Sequence, residues 1–211
     1  MNQPSNGNAP PSAIYIIRHG EKPADPPATA PGQAPQTLAP PFGVDFQGNQ
    51  NPHSLLPRGW QRSGALAALF DPATGPPQAG LQIPGVLLSP SYGSPDKTAE
   101  HRTYQTIQGL SDRLSIAIVS GYAEGQEPQL AANVVSTYVG VVLICWEHDH
   151  IPSLASALPA VPGTVIPQAW PGGRFDVIWA FTLVPGTAPQ YAFTQVPQQL
   201  LSGDTNTVIP P

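Results

Sequence analysis

Three short runs of unbroken apolar residues constrain this fold more than anything else in the chain: AIYII at 13–17, GVLL at 85–88 and VGVVLICW at 139–146. Each is rich in β-branched residues and bounded by turn formers, so each reads as a strand rather than a helix. A strand that is apolar on both faces must be covered on both faces, and that is the signature of a parallel sheet flanked by helices. The segments between the runs supply those helices. PRGWQRSGALAALF (57–70) opens with Pro57 and Gly59 and sets Trp60, Leu66, Ala67 and Phe70 at helical spacing. Thr98 to Leu114 carries Ile107, Leu110 and Leu114 on one face, Pro128 to Tyr138 is a third helix, and IPSLASAL is a short fourth beginning near His150. RFDVIWAFTL and QYAFTQVP read as late strands paired at a sheet edge. The predicted architecture is a three-layer α/β/α sandwich with a mostly parallel central sheet. Ligands in such folds bind beyond the carboxyl ends of the strands.

The 211 residues suit one domain, expected over 13–211 after a loose polar tail at 1–12. The 29 prolines and 20 glycines imply long ordered loops. The stretch from Lys22 to Leu56 has no sustained period, so the Pro-rich part at 23–56 is expected to be a functional loop or lid. A net charge of -5 with no basic block argues against nucleic-acid or membrane-surface partners. No apolar run is long enough to cross a bilayer, and the amino terminus lacks the pattern of a signal peptide. Cys145 is the one cysteine, set in an apolar run, which fits a small core residue in a reducing, cytoplasmic setting and leaves no thiolate metal site.

Against so little charge, three clusters stand out. Arg18–His19 ends the first strand, His101–Arg102 lies at the middle helix, and His148 to His150 follows the last central strand. A parallel sheet can bring all three to one pocket. Guanidiniums offer a fixed fork of donors to phosphoryl oxygens, and a neutral imidazole can attack phosphorus while its neighbours hold the developing charge. Gly20, without a Cβ, lets backbone approach a ligand closely. The plainer readings are structural: Arg58 and Arg62 as a solvated helix face, His101 as a neighbour of the pocket, His150 as a helix-start residue, Asp149 as a helix cap, and Glu21 as a partner of Lys22. The four tryptophans read as core or loop packing, with Trp146 close enough to His148 to shape the pocket.

IYIIRHGEKP, LLPRGWQRSGALAALF, HRTYQT and VVLICWEHDHIPSLASAL, in that order, resemble the histidine phosphatase superfamily, the phosphoglycerate-mutase-like group with an Arg-His-Gly signature. The resemblance spans Ile14 to the late strands. It implies His19 as the nucleophile that forms a phosphohistidine, Arg18 and Arg102 as phosphate-binding arginines, and His148 as the second histidine of the pocket. It implies no metal or organic cofactor, and a small phosphorylated substrate. In one branch of the family the proton donor is an aspartate directly after the second histidine, which matches Asp149. In another it is a later glutamate, for which Glu124 or Glu127 would serve, and Glu21 could also line the pocket. Lys22, Pro23 and Ala24 stand where the mutases carry serine and a nearby asparagine, which favours a hydrolase. The expected activity is a phosphomonoesterase; the alternatives are a phosphate-binding regulatory module with little turnover and a phosphotransferase or mutase.

Overall fold

In the computed structural model, which describes residues 9–24, 40–93 and 95–211, the first apolar run becomes β1 (Ala13–Arg18), buried at every position. The other two become β2 (Val86–Leu88) and β4 (Val141–Trp146). A two-residue strand, β3 (Ile118–Val119), flanks β2, and the chain closes with β5 (Val177–Leu183) and β6 (Tyr191–Pro197). All six form one sheet in the order β3-β2-β4-β1-β5-β6. The pairs β3–β2, β2–β4 and β4–β1 are parallel, whereas β1–β5 and β5–β6 are antiparallel. The sheet is therefore mostly parallel, with the late pair at its edge as the sequence predicts.

Helices cover both faces. On one side α1 (Pro57–Phe70) and α3 (Arg102–Leu114) set Leu66, Phe70, Ile107 and Leu110 against Tyr15, Ile17, Leu143 and Cys145. On the other, α4 (Glu127–Thr137) and α5 (Ile151–Ala157) set Leu130, Val134, Ile151 and Leu154 against Ile14, Ile16, Val142 and Ile144. The alternation of side chains along β1 and β4 thus feeds two cores from one apolar run. Cys145 is fully buried in the first of them. No helix of the described residues is long and apolar enough to cross a membrane.

The span read as one helix from Thr98 is two: α2 (Pro95–Ala99) stops short, and α3 begins after His101, which is extended at φ -92°, ψ 148°. Residues 1–8 of the expected tail and 25–39 of the expected loop lie outside the described residues. The rest of the tail is tied down. The Tyr191 hydroxyl donates to Pro11 O at 3.0 Å, and Ser12 N–H donates to Gly140 O at 2.7 Å.

Candidate active site

Register decides what meets at the end of the sheet. Arg18, the last residue of β1, is level with Trp146, the last of β4, so His19 and Glu147–His148 leave neighbouring parallel strands together. Because β5 is antiparallel to β1, the 171–176 segment that leads into it reaches the same end. There Arg18 donates through Nη1 to Gly172 O at 2.6 Å, and to Arg174 O and Pro171 O at 3.2 and 3.3 Å. Its guanidinium carbon lies 4.1 Å from the centre of the Phe175 ring, a cation–π contact.

His19 is fully buried. Its Nδ1 lies 2.7 Å from Gly20 O; a carbonyl only accepts, so Nδ1 carries the proton and the neutral ring keeps its lone pair on Nε2. Nε2 lies 3.1 Å from Glu147 Oε1, out of line for a hydrogen bond. Glu147 Oε2 is 3.1 Å from His148 Nδ1 and accepts from the His148 backbone N–H at 3.1 Å, and the two imidazoles meet edge to face with centres 6.3 Å apart. On the far side of His148, Nε2 lies 3.4 Å from Asp149 Oδ1. Burial lowers the pKa of His19 below 6.5; Glu147 opposes this, and Arg102 and Arg18 add to it. Burial works to raise the pKa of Glu147, yet His19, His148 and Arg102 outweigh it and hold the carboxyl well below its usual range.

α3 supports this cluster from beneath. Thr106 Oγ1 accepts from Gly20 N–H and donates to Arg102 O, both at 2.7 Å, which pins the Arg-His-Gly turn to the first turn of the helix. A cavity of about 250 Å³ opens beside it, with Glu147, Asp149 and Arg102 on its wall together with His53, Tyr92, His101, Glu124 and His150. Glu147 thus separates the cavity from His19. Tyr92 stacks on His101 at 3.7 Å and His53 lies against the same ring at 5.1 Å. Burial, His53 and Arg102 bring the pKa of His101 down to about 4.

Several expectations meet different surroundings. Arg62 is not on a solvated face: it is 2% exposed and binds Glu21 and Asp204 at once, with Nη2 at 2.8 and 2.7 Å. Glu21 accepts from Arg62 and from Arg58 Nε at 3.0 Å, so these arginines hold its carboxylate. The backbone that comes close to Gly20 is that of Gly59: a Cβ at Gly20 would lie 3.1 Å from Gly59 Cα. Asp149 makes no cap, since α5 has His150 at its N-cap and no side-chain capping bond, and the Asp149 side chain is 80% exposed. Glu127 is buried and bound by Trp146 Nε1 at 3.0 Å and His150 Nδ1 at 3.2 Å, whereas Glu124 lies on the cavity wall and accepts from the Tyr92 hydroxyl at 3.0 Å. Glu147 and Phe175 have no place in the sequence-based set. The signal for Glu147 was present: a charged residue directly after a fully buried strand, the same mark that singles out Arg18.

Fold and site together define a three-layer α/β protein with a histidine–carboxylate–histidine cluster, its first histidine buried and the other two residues half-buried, at the carboxyl ends of its central parallel strands. No protein-family model matches the chain, and no curated protein does. Among solved structures it is similar to one described as mycobacterial hydrolase 1, at 13% identity and a TM-score of 0.47, over 87% of this chain and 97% of that one. It is also similar to mycobacterial glucosyl-3-phosphoglycerate phosphatase in complex with inorganic phosphate, at 13% identity and a TM-score of 0.44, over 87% and 95%.

Proposed function

We propose that this protein is a phosphomonoesterase that works through a phosphohistidine on His19. The observation that supports it most is the hydrogen bond from His19 Nδ1 to Gly20 O, which leaves Nε2 as the free nucleophilic nitrogen. Attack by Nε2 forms the N–P bond as the ester O–P bond breaks, and the alkoxide leaves with a proton from the site. Water then attacks phosphorus and returns a proton to the group that protonated the alkoxide, the N–P bond breaks, and inorganic phosphate departs. Arg18, Arg102 and His148 are the groups to bind phosphoryl oxygens, with Gly20 N–H fixed by Thr106 as part of the scaffold. For the phosphoryl group to reach Nε2, the Glu147 carboxylate must move aside. Asp149, exposed at the cavity wall beside His148, is the proposed proton donor. A Glu21 contact to phosphate is not retained, because Arg58 and Arg62 hold that carboxylate.

The test is phosphate release from p-nitrophenyl phosphate and from an alkyl phosphate. His19→Ala is expected to abolish both, and rapid quenching of the wild type to trap an acid-labile phosphoenzyme. Asp149→Asn is expected to slow the alkyl ester far more than the aryl ester, whose leaving group barely needs protonation. Full activity of His19→Ala would overturn the proposal.

A further inference from the structure

We propose that His19, Glu147 and His148 form a binding site for a borderline divalent metal ion, of which zinc is the type, and that its occupation blocks His19. The metal site stands without turnover, whereas the blocking of His19 rests on the proposed function. One donor atom from each of the three residues falls within 4.8 Å of the other two, close enough for one ion to gather them. His19 Nε2 is buried with no aligned hydrogen-bond partner, so a lone pair points into the cluster.

The outer shell argues for a metal rather than for a chance meeting of side chains. A ligating imidazole generally gives its other nitrogen to a carbonyl or carboxylate, which fixes the tautomer and the ring. Both rings here are arranged so. His19 binds Gly20 O through Nδ1 at 2.7 Å and presents Nε2, while His148 has Asp149 Oδ1 3.4 Å from Nε2 and presents Nδ1. Glu147 already sits between the two presented nitrogens, 3.1 Å from each. Arg102 and Arg18 oppose a cation, but the cavity wall beside the cluster carries Glu124, Glu147 and Asp149. Two imidazole nitrogens and one carboxylate oxygen suit zinc, cobalt or copper; magnesium and calcium prefer oxygen donors alone. An ion on His19 Nε2 takes the lone pair that would attack phosphorus, so the metal is an inhibitor and not a cofactor.

Calorimetry of the metal-free protein with Zn²⁺ tests this directly, with Mg²⁺ as the comparison and Co²⁺ absorption as a report on the ligands. Expected are one Zn²⁺ per chain, no heat from Mg²⁺, and Zn²⁺ binding weakened at least about tenfold in both Glu147→Gln and His148→Ala. Thermal unfolding of each variant confirms that it is folded. Undiminished Zn²⁺ binding by the folded variants would place the ion elsewhere, among His53, His101 and His150 for example, and would overturn the proposal; so would the absence of Zn²⁺ binding in the wild type. Zn²⁺ binding by a protein that releases no phosphate would leave the metal site standing and sink the proposed hydrolysis, whereas phosphatase activity unchanged at saturating Zn²⁺ would overturn the blocking of His19.

Discussion

Glu147 and Arg62 show how differently a charge inside the fold behaves depending on what surrounds it. Glu147 holds a negative charge 3.1 Å from the nitrogen where the proposed phosphoryl group must arrive. A unit charge about 4 Å away costs an anion roughly 1 kcal/mol even in water-like surroundings. Glu147→Gln keeps the shape and removes the charge, so inorganic phosphate should bind about fivefold tighter or more, read by calorimetry. Weaker binding would mean that the carboxylate orients the two histidines for phosphate instead of competing with it. Arg62 has no such freedom. It ties α1 to Glu21 after β1 and to Asp204 near the carboxyl end, with Gln198 Oε1 as a further acceptor at 3.0 Å. Removing it leaves the Glu21 and Asp204 carboxylates with only the more exposed Arg58 beside them, so Arg62→Ala should lose about 3–5 kcal/mol in urea unfolding. A loss under about 1 kcal/mol would show that water takes over its role.

At the scale of elements, α1 is held against the β1 turn by absence of side chain at one position. A Cβ at Gly59 would fall 2.6 Å from Glu21 O, whereas one at Gly64, further along the same helix, would meet nothing within 4 Å. Gly59→Ala is therefore expected to cost about 1–3 kcal/mol through forced separation. Gly64→Ala should gain about 0.5–1 kcal/mol from helix propensity, measured in the same denaturation series. The elements legible in the sequence are those whose apolar pattern is long enough to read. β1, β2 and β4 stand out as unbroken runs, and α1 as a 14-residue periodic stretch. β3 is two residues long and leaves no pattern, and the break before α3 rests on the backbone of His101, which periodicity does not record. At the site, Arg18, His19, Arg102 and His148 were legible because charge at the end of a buried strand or in a charge-poor chain is conspicuous. The partners of Glu21, and Phe175 under Arg18, depend on contacts between segments far apart in sequence, which only the antiparallel return of β5 and the carboxyl-terminal loop create.

For the molecule as a whole, the buried titrating groups bias stability in the same direction on the acid side. The pKa of His101 is brought down to about 4, and that of His19 is lowered by its burial, against about 6.5 in an unfolded chain. Between those values the unfolded chain binds more protons than the folded one, so stability is full above pH 6.5 and falls as the pH drops toward about 4. A second loss follows below the ordinary carboxyl range. Glu147 is held well below its usual value, and Asp204, paired with Arg62, is brought to about 2 against the pull of burial. Their stabilisation is present above the unfolded carboxyl pKa and disappears as the pH falls through the folded one. On the alkaline side Tyr191 is raised by burial to about 12, so its neutral form favours the fold below pH 10 and that contribution is lost as the pH rises from 10 to 12. The thermal midpoint should accordingly peak between these limbs and fall in two stages on acidification. His101→Gln removes one of the groups behind the first stage and should flatten the fall between pH 6.5 and 4, while Asp204→Asn should lower the midpoint at neutral pH and weaken the second stage. A wild-type midpoint that stays level from pH 6.5 to 4 would mean that the His53–His101–Tyr92 stack opens to water before the chain unfolds.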